Sequence, residues 1–132
     1  MFKKKITILS GIIAILLIVM FGCSKTATYV VNPGSEITQT LSFAKDITPV
    51  LTANCALSGC HVTGGHVPNL TAGNAYTSLT SGGYVKANDS DNSVIMLWLT
   101  GKKSPVMPLG AGPNSQINAK IYAWINQGAQ NN

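Results

Sequence analysis

The sequence contains no arginine and little acidic charge. Its nine basic side chains are all lysines, and only four carboxylates accompany them among 132 residues. A nucleic-acid-binding surface usually needs a clustered basic face, with arginine to fork onto phosphate oxygens. Three of the lysines precede an apolar run at the amino terminus, and the six that follow leave a net charge of only +2 against the four carboxylates. The composition therefore argues against a nucleic-acid partner.

Long apolar runs are also scarce, and the only one stands near the amino terminus. Residues 6–22 form this run, after Lys3-Lys4-Lys5 and before Cys23. A basic start, a short apolar core and a small residue before a cysteine resemble the lipobox of bacterial lipoproteins. We predict a signal peptide over residues 1–22 and a lipid on Cys23. At 17 residues the run is at the short limit for a membrane span, and an uncleaved anchor is the alternative.

Both interpretations of the apolar run place the rest of the chain outside the cytoplasm. We expect an exported lipoprotein on the periplasmic side of a membrane or on the cell surface. Residues 23–41 are mostly polar, with Pro33-Gly34 in the middle, and are predicted to be a tether. Residues 42–132 then form one domain, which is too small to divide further.

No part of this domain alternates apolar and polar residues well enough to predict a strand. Apolar residues recur at helical spacing over Phe43 to about Asn54, with Ser42 or Asp46 as the cap. A second helix is predicted over about 92–100, and a third from Ser115, as its cap, to about residue 127. A short helix over about 74–79 is also compatible with the pattern. The sequence therefore predicts an all-α domain with three main helices and long loops.

Aromatic residues are few, at 7% of the chain, and glycines number 13. Three short helices with this composition bury little apolar area. Small domains of this kind usually need disulfides, a metal or a large cofactor at their centre. The domain therefore requires a stabilising element that the helices alone do not supply.

Cysteine is scarce as well, and its placement is informative. If Cys23 carries lipid, only Cys55 and Cys60 remain, and His61 follows the second directly. In an exported protein, such thiols form a disulfide, hold a metal or hold a haem. Two cysteines followed by histidine is the pattern of covalent haem attachment, in which the thiols bond the porphyrin edge and the imidazole binds iron. The usual spacer is two residues; here it is four, and Ser58-Gly59 gives the longer spacer freedom to bulge.

A candidate for the second axial ligand follows downstream. Ser104-Pro105-Val106-Met107-Pro108 presents a methionine between prolines, which fix the backbone in an extended form. Electron-transfer haems commonly take a methionine thioether opposite the histidine. We predict that Met107 is this ligand; the alternative is that it fills a gap in the core.

Taken in order, these landmarks resemble the small class I cytochrome c domain, especially the versions found in bacterial lipoproteins. The resemblance covers most of the mature chain and departs from the family pattern in the cysteine spacer. Its landmarks are residues 46–51 before Cys55, then Cys60-His61, Pro68-Asn69-Leu70, Met107-Pro108, and the carboxyl-terminal run 117–129 with Trp124-Ile125 and Gly128-Ala129.

The resemblance implies a cytochrome c-like fold around one haem c. His61 and Met107 would be the axial ligands, Cys55 and Cys60 would hold the haem covalently, and the Pro68 carbonyl would accept a hydrogen bond from His61. Leu70, Trp98 and Trp124 are candidates for the apolar haem pocket. With both axial positions filled, we expect an electron carrier rather than an enzyme, with redox proteins as partners.

Three alternatives stay open at the level of sequence. The first is a haem-free exported lipoprotein with a Cys55–Cys60 disulfide, acting as a binding or structural module. The second is a zinc site formed by both cysteines with His61 and His66. The third keeps the haem but leaves its sixth position open, or gives it to His66 instead of Met107.

Overall fold

The fold is helical, in a computed structural model that describes residues 36–132. The predicted signal peptide, Cys23 and most of the predicted tether therefore lie outside the described residues. A π-helical turn, Phe43–Ile47, runs directly into α1 (Thr48–Asn54), and three further helices follow: α2 (Ala75–Ser81), α3 (Val94–Leu99) and α4 (Ser115–Asn126). No strand occurs within residues 36–132, so the prediction of an all-α domain is confirmed for this part of the chain. Across the same residues, no helix has the length and apolar character needed to cross a membrane.

The first helical segment is capped by Ser42 and Asp46 together. The Ser42 hydroxyl accepts from the Lys45 amide at 3.2 Å, and the Asp46 carboxylate accepts from the Ser42 amide at 2.8 Å. Two free amides are thereby satisfied reciprocally, as in a capping box. The wide π-helical turn lies just before Pro49, which stands in the first turn of α1 and has no N–H to donate. Pro49 therefore lies just after the junction of the two helical segments and is not a cap residue of either.

The predicted apolar stripe of α4 forms the centre of the domain. Ile117, Ile121, Trp124 and Ile125 are all buried. The helix begins one residue after its cap Asn114, whose carboxamide oxygen accepts from the amides of residues 116 and 117. The predicted cap was Ser115, so the cap lies one residue earlier than predicted; Asn114 has the extended backbone of a cap residue, and Ser115 is already in the helix.

An aromatic cluster joins the first and last helical segments. The ring of Phe43 lies 5.1 Å from that of Trp124 and 5.2 Å from that of Tyr76, measured between centroids. The Trp124 indole donates to the Gln130 carbonyl at 3.0 Å and the Tyr76 hydroxyl to the Ala129 carbonyl at 3.1 Å. The polar ends of the buried Trp124 and the half-buried Tyr76 are therefore satisfied by the segment that follows α4.

Residues near the two ends of the described segment are held together by hydrogen bonds. The carbonyl of Asn132 accepts from the Ser42 hydroxyl at 2.7 Å and from the Ala44 amide at 3.0 Å. Gln127 accepts from the Leu41 amide at 2.8 Å and donates to the Gln39 carbonyl at 2.9 Å. The last residues of the predicted tether thus contact the domain, and Leu41 is buried in its core.

Candidate functional site

The four-residue spacer between the two cysteines is folded back on itself. Cys55 ends α1, and its amide donates to the Leu51 carbonyl at 2.9 Å. The Cys60 amide donates to the Leu57 carbonyl at 2.9 Å, and the His61 amide donates to the Cys55 carbonyl at 3.1 Å. Cys60 and His61 therefore return to the carboxyl end of α1, beside Cys55, despite the longer spacer.

Both thiols are free and half-buried. Burial, with the neighbouring Cys60 as the smaller cause, raises the pKa of Cys55 to about 11. A thiol with so high a pKa is almost wholly protonated at neutral pH and is a poor nucleophile by itself. The geometry thus provides two adjacent thiols, without a disulfide between them.

The imidazole of His61 is oriented by main-chain oxygens. Its Nδ1 lies 3.1 Å from the Pro68 carbonyl oxygen and 3.2 Å from the His66 carbonyl oxygen. Carbonyl oxygens only accept hydrogen bonds, so Nδ1 carries the proton and Nε2 keeps its lone pair. This is the tautomer that a histidine needs in order to bind a metal through Nε2. The hydrogen bond to Pro68 implied by the resemblance is present.

The segment that supplies these oxygens is itself anchored. The Leu70 amide donates to the His61 carbonyl at 2.8 Å, and the Asn69 amide donates to the Ser78 hydroxyl on α2 at 2.9 Å. Pro68 and Leu70 are both buried. The orientation of the imidazole is therefore tied to α2 and to the core rather than to a freely moving loop.

Met107 lies in the long connection between α3 and α4. Its amide donates to the Trp98 carbonyl at 3.1 Å, and the Lys103 amide donates to the Leu97 carbonyl at 2.9 Å. The side chain of Met107 is half-buried and packs against the core. Trp98 is half-buried at the same end of α3, with the Lys103 ammonium 5.6 Å from the centre of its ring. The Trp98 carbonyl thus fixes the main chain of Met107 near the carboxyl end of α3.

Trp124 has different surroundings from the other predicted pocket residues. It is fully buried in the aromatic cluster with Phe43 and Tyr76. Protein atoms already cover its whole surface, and its part in a haem pocket stays a prediction.

The described residues do not assemble the ligands of a zinc site. Within residues 36–132, no three His, Cys, Asp or Glu side chains are grouped as ligands of a metal ion. His66 is exposed, and it is the main-chain oxygen of this residue, not its imidazole, that contacts His61. A haem iron would instead take one imidazole and one thioether as axial ligands. A group of three His, Cys, Asp or Glu side chains is therefore not what a haem site needs.

Two features of the site region were not predicted from the sequence. One is the hydrogen bond from His61 to the His66 carbonyl, which depends on the course of the main chain. The other is Asn118 on α4, which is buried and whose carboxamide nitrogen donates to the Leu99 carbonyl at 3.0 Å, while its oxygen has no partner. The sequence signal that could have identified Asn118 is its position beside the apolar stripe of α4. Asn118 holds the end of α3, from which the segment with Met107 departs.

No protein-family model matches the chain, and comparisons with curated proteins and with solved structures give no match either.

Proposed function

We propose that the chain is a membrane-tethered electron-transfer protein that carries one covalently bound haem c. Cys55 and Cys60 would hold the porphyrin, and His61 and Met107 would be the axial ligands of the iron. The observation that carries the proposal is the setting of His61: its Nδ1 is hydrogen-bonded to the Pro68 carbonyl, and Cys60 directly precedes it in sequence.

The state of the imidazole is what an iron ligand requires. A histidine that binds metal through Nε2 usually donates its other N–H to a carbonyl or carboxylate, which fixes the ring and makes Nε2 a better electron donor. An imidazole used only for packing has no need of such an arrangement. The anchoring of residues 68–70 to His61 and to α2 keeps the ring in one orientation.

The position of the thiols fits covalent attachment. The His61 amide closes the spacer onto the Cys55 carbonyl at 3.1 Å, so the main chain of Cys55 lies beside that of Cys60 and His61. Each thiol would form one thioether bond with a vinyl group at the porphyrin edge. The four-residue spacer is compatible with this because its residues fold into a turn rather than separating the thiols.

Met107 is the best available sixth ligand in the described domain. Its main chain is fixed by the Trp98 carbonyl, its side chain is half-buried, and it contacts the apolar core. A thioether ligand in apolar surroundings would favour the ferrous state and raise the reduction potential. The haem supplies the one-electron chemistry, while the protein orients it and limits solvent access.

The cytochrome c-like fold is part of the proposal. Helical segments from the two ends of the domain pack on each other, as the Phe43–Trp124 contact shows. In this fold class the two axial ligands come from loops between these segments, as His61 and Met107 would here. Lipid on Cys23 would hold the domain at a membrane, where redox proteins are its partners, and with both axial positions filled we propose a carrier rather than an enzyme.

The test is a pyridine haemochrome spectrum of the full chain, made together with cytochrome c maturation factors. We expect a c-type spectrum that persists after acid–acetone extraction, which removes haem that is not covalently bound. His61→Ala is expected to lose haem, whereas the matched variant His66→Ala keeps it. A colourless protein whose intact mass shows the loss of two hydrogens would instead indicate the Cys55–Cys60 disulfide and overturn the proposal.

A further inference from the structure

The turn between Cys60 and His66 brings a second carbonyl to the imidazole. The His66 amide donates to the Cys60 carbonyl at 2.9 Å, and the Gly65 amide donates to the Val62 carbonyl at 2.9 Å. These two bonds close the turn, and the His66 carbonyl oxygen then lies 3.2 Å from Nδ1 of His61. The Nδ1 proton is thus shared between two acceptors.

Two adjacent glycines form this turn, for different reasons. A Cβ at position 65 would lie 2.2 Å from the Cys60 carbonyl oxygen and 3.2 Å from that of Val62. Gly64 has a φ of +79° but no atom within 4 Å of the place of a Cβ. Position 65 therefore admits only glycine without moving the turn, whereas position 64 asks only for an unusual backbone angle.

We infer that the His66 main-chain carbonyl is a second acceptor on the iron-binding imidazole and lowers the reduction potential, with Gly65 as the positioning residue. The inference rests on the proposed function and deepens it. Each acceptor draws on the Nδ1 proton and leaves more electron density on Nε2. Greater donation from Nε2 stabilises ferric over ferrous iron, because ferric iron carries the larger positive charge. The contact thus opposes the rise in potential that Met107 provides.

The two glycines supply a matched pair of variants for the haem-loaded full chain. In Gly65→Ala, the new methyl group pushes the turn away from Cys60 and separates the His66 carbonyl from Nδ1. We expect the ratio of ferrous to ferric protein at a fixed applied potential to rise about fivefold, the range of one hydrogen bond. In Gly64→Asn, we expect the ratio to stay within about 1.5-fold of that of the original chain, since asparagine tolerates the φ of +79° at this position and nothing lies near the added Cβ.

A second readout follows the hydrogen bond itself. In the diamagnetic ferrous protein, the Nδ1–H proton of His61 is expected to shift upfield and to exchange faster with water in Gly65→Ala, but not in Gly64→Asn. If Gly65→Ala does not yield folded protein, His66→Pro replaces it, because proline removes the amide that holds the turn to the Cys60 carbonyl. The same rise in the ferrous-to-ferric ratio is expected there.

The outcomes separate this inference from the proposed function. A haem-loaded Gly65→Ala or His66→Pro protein with an unchanged ratio and an unchanged Nδ1–H resonance would overturn the inference alone. An equal shift in Gly64→Asn would also overturn it, because the effect would then not depend on the contact at position 65. A full chain that takes up no covalent haem would overturn the proposed function and, with it, the inference.

Discussion

Trp124 is completely buried, whereas Cys55, Cys60, His61 and Met107 are only half-buried in the same small domain. The first region, which we term the aromatic end, consists of Phe43, Tyr76 and Trp124 and the chain segments that cover them. Its residues are held by ring contacts and by apolar packing. The second set of residues, which we term the ligand end after the role proposed for it, comprises the two cysteines, His61, Met107 and the loops that carry them, and main-chain hydrogen bonds hold these loops.

The difference teaches how a small chain separates stability from chemistry. Buried aromatic contacts supply a large share of the packing free energy of a core, and the side chains that make them are not accessible to a ligand. Main-chain hydrogen bonds contribute little net stability each but fix the direction of a side chain. The ligand end therefore has defined side-chain positions with part of each side chain still accessible, which is what binding of a large flat group requires.

The largest expected effect is on stability at the aromatic end. Trp124→Ala removes the central ring of the aromatic cluster, and we expect it to lower the free energy of unfolding by about 3–5 kcal/mol. The matched variant, Trp98→Ala, affects the half-buried ring of the residue whose main-chain carbonyl holds Met107 and is expected to cost about 1–2 kcal/mol. Urea unfolding followed by circular dichroism measures both. Equal losses in the two variants would contradict the distinction between the two regions.

A second variant tests the connection between the two regions. Asn118→Asp removes the donor to the Leu99 carbonyl and places a carboxyl group at a buried position, and we expect a loss of about 3 kcal/mol at pH 7. Burial raises the pKa of this carboxyl group in the folded state, so the loss is greatest above that pKa and shrinks as the pH falls through it.

The control for this variant is Gln116→Glu, which adds the same charge at an exposed position of α4. We expect it to change the free energy of unfolding by less than about 0.5 kcal/mol. If Asn118→Asp is as stable as this control across the pH range, Asn118 does not hold the end of α3 in the way that the structure indicates.

At the ligand end, a substitution is expected to change the spectrum more than the stability. Met107→Ala truncates a half-buried side chain, so we expect a loss of about 1 kcal/mol in the free energy of unfolding. Its absorption spectrum, in contrast, is expected to change from low-spin to high-spin ferric haem, because the sixth ligand is gone. A low-spin spectrum that persists in Met107→Ala would assign the sixth position to another group, with His66 the first to test by substitution.

The smallest effect concerns the two thiols in chain made without haem. With a pKa of about 11, only about one Cys55 thiol in a thousand is ionised at pH 8. Because the thiolate is the reactive form, we expect iodoacetamide to modify Cys60 before Cys55. Tandem mass spectrometry of the tryptic peptide 46–86 distinguishes the two positions. The difference is expected to vanish in urea, and equal rates in native buffer would show that Cys55 is not buried in the haem-free chain.

The periodicity of apolar residues was enough to predict the first helical segment and the buried stripe of α4, whereas α2 was only compatible with the sequence pattern. Each apolar residue in that stripe faces the core for a reason that is local to the helix. The start of α4 was off by one residue because Asn114 and Ser115 are both good caps, and only the path of the preceding loop decides between them. The π-helical turn before Pro49 was not predicted, since it depends on how the helix meets the rest of the core.

The candidate site was predictable to the extent that its residues lie close together in sequence. Cys55, Cys60 and His61 are one such group, and the bond from His61 to the Pro68 carbonyl followed from the resemblance. The second acceptor at His66 and the buried carboxamide of Asn118 were not predicted, because each depends on the path that brings a main-chain carbonyl to a particular side chain. Periodicity and composition carry no record of such contacts.

The most direct test of the account is the mass of the tryptic peptide 46–86 from haem-loaded protein, since this peptide contains Cys55, Cys60 and His61 and no internal lysine. The account predicts the mass of the peptide plus one haem, with no loss of hydrogen and no thiol left to alkylate. A peptide two hydrogens lighter and without haem, isolated from protein made in the presence of the maturation factors, would contradict it.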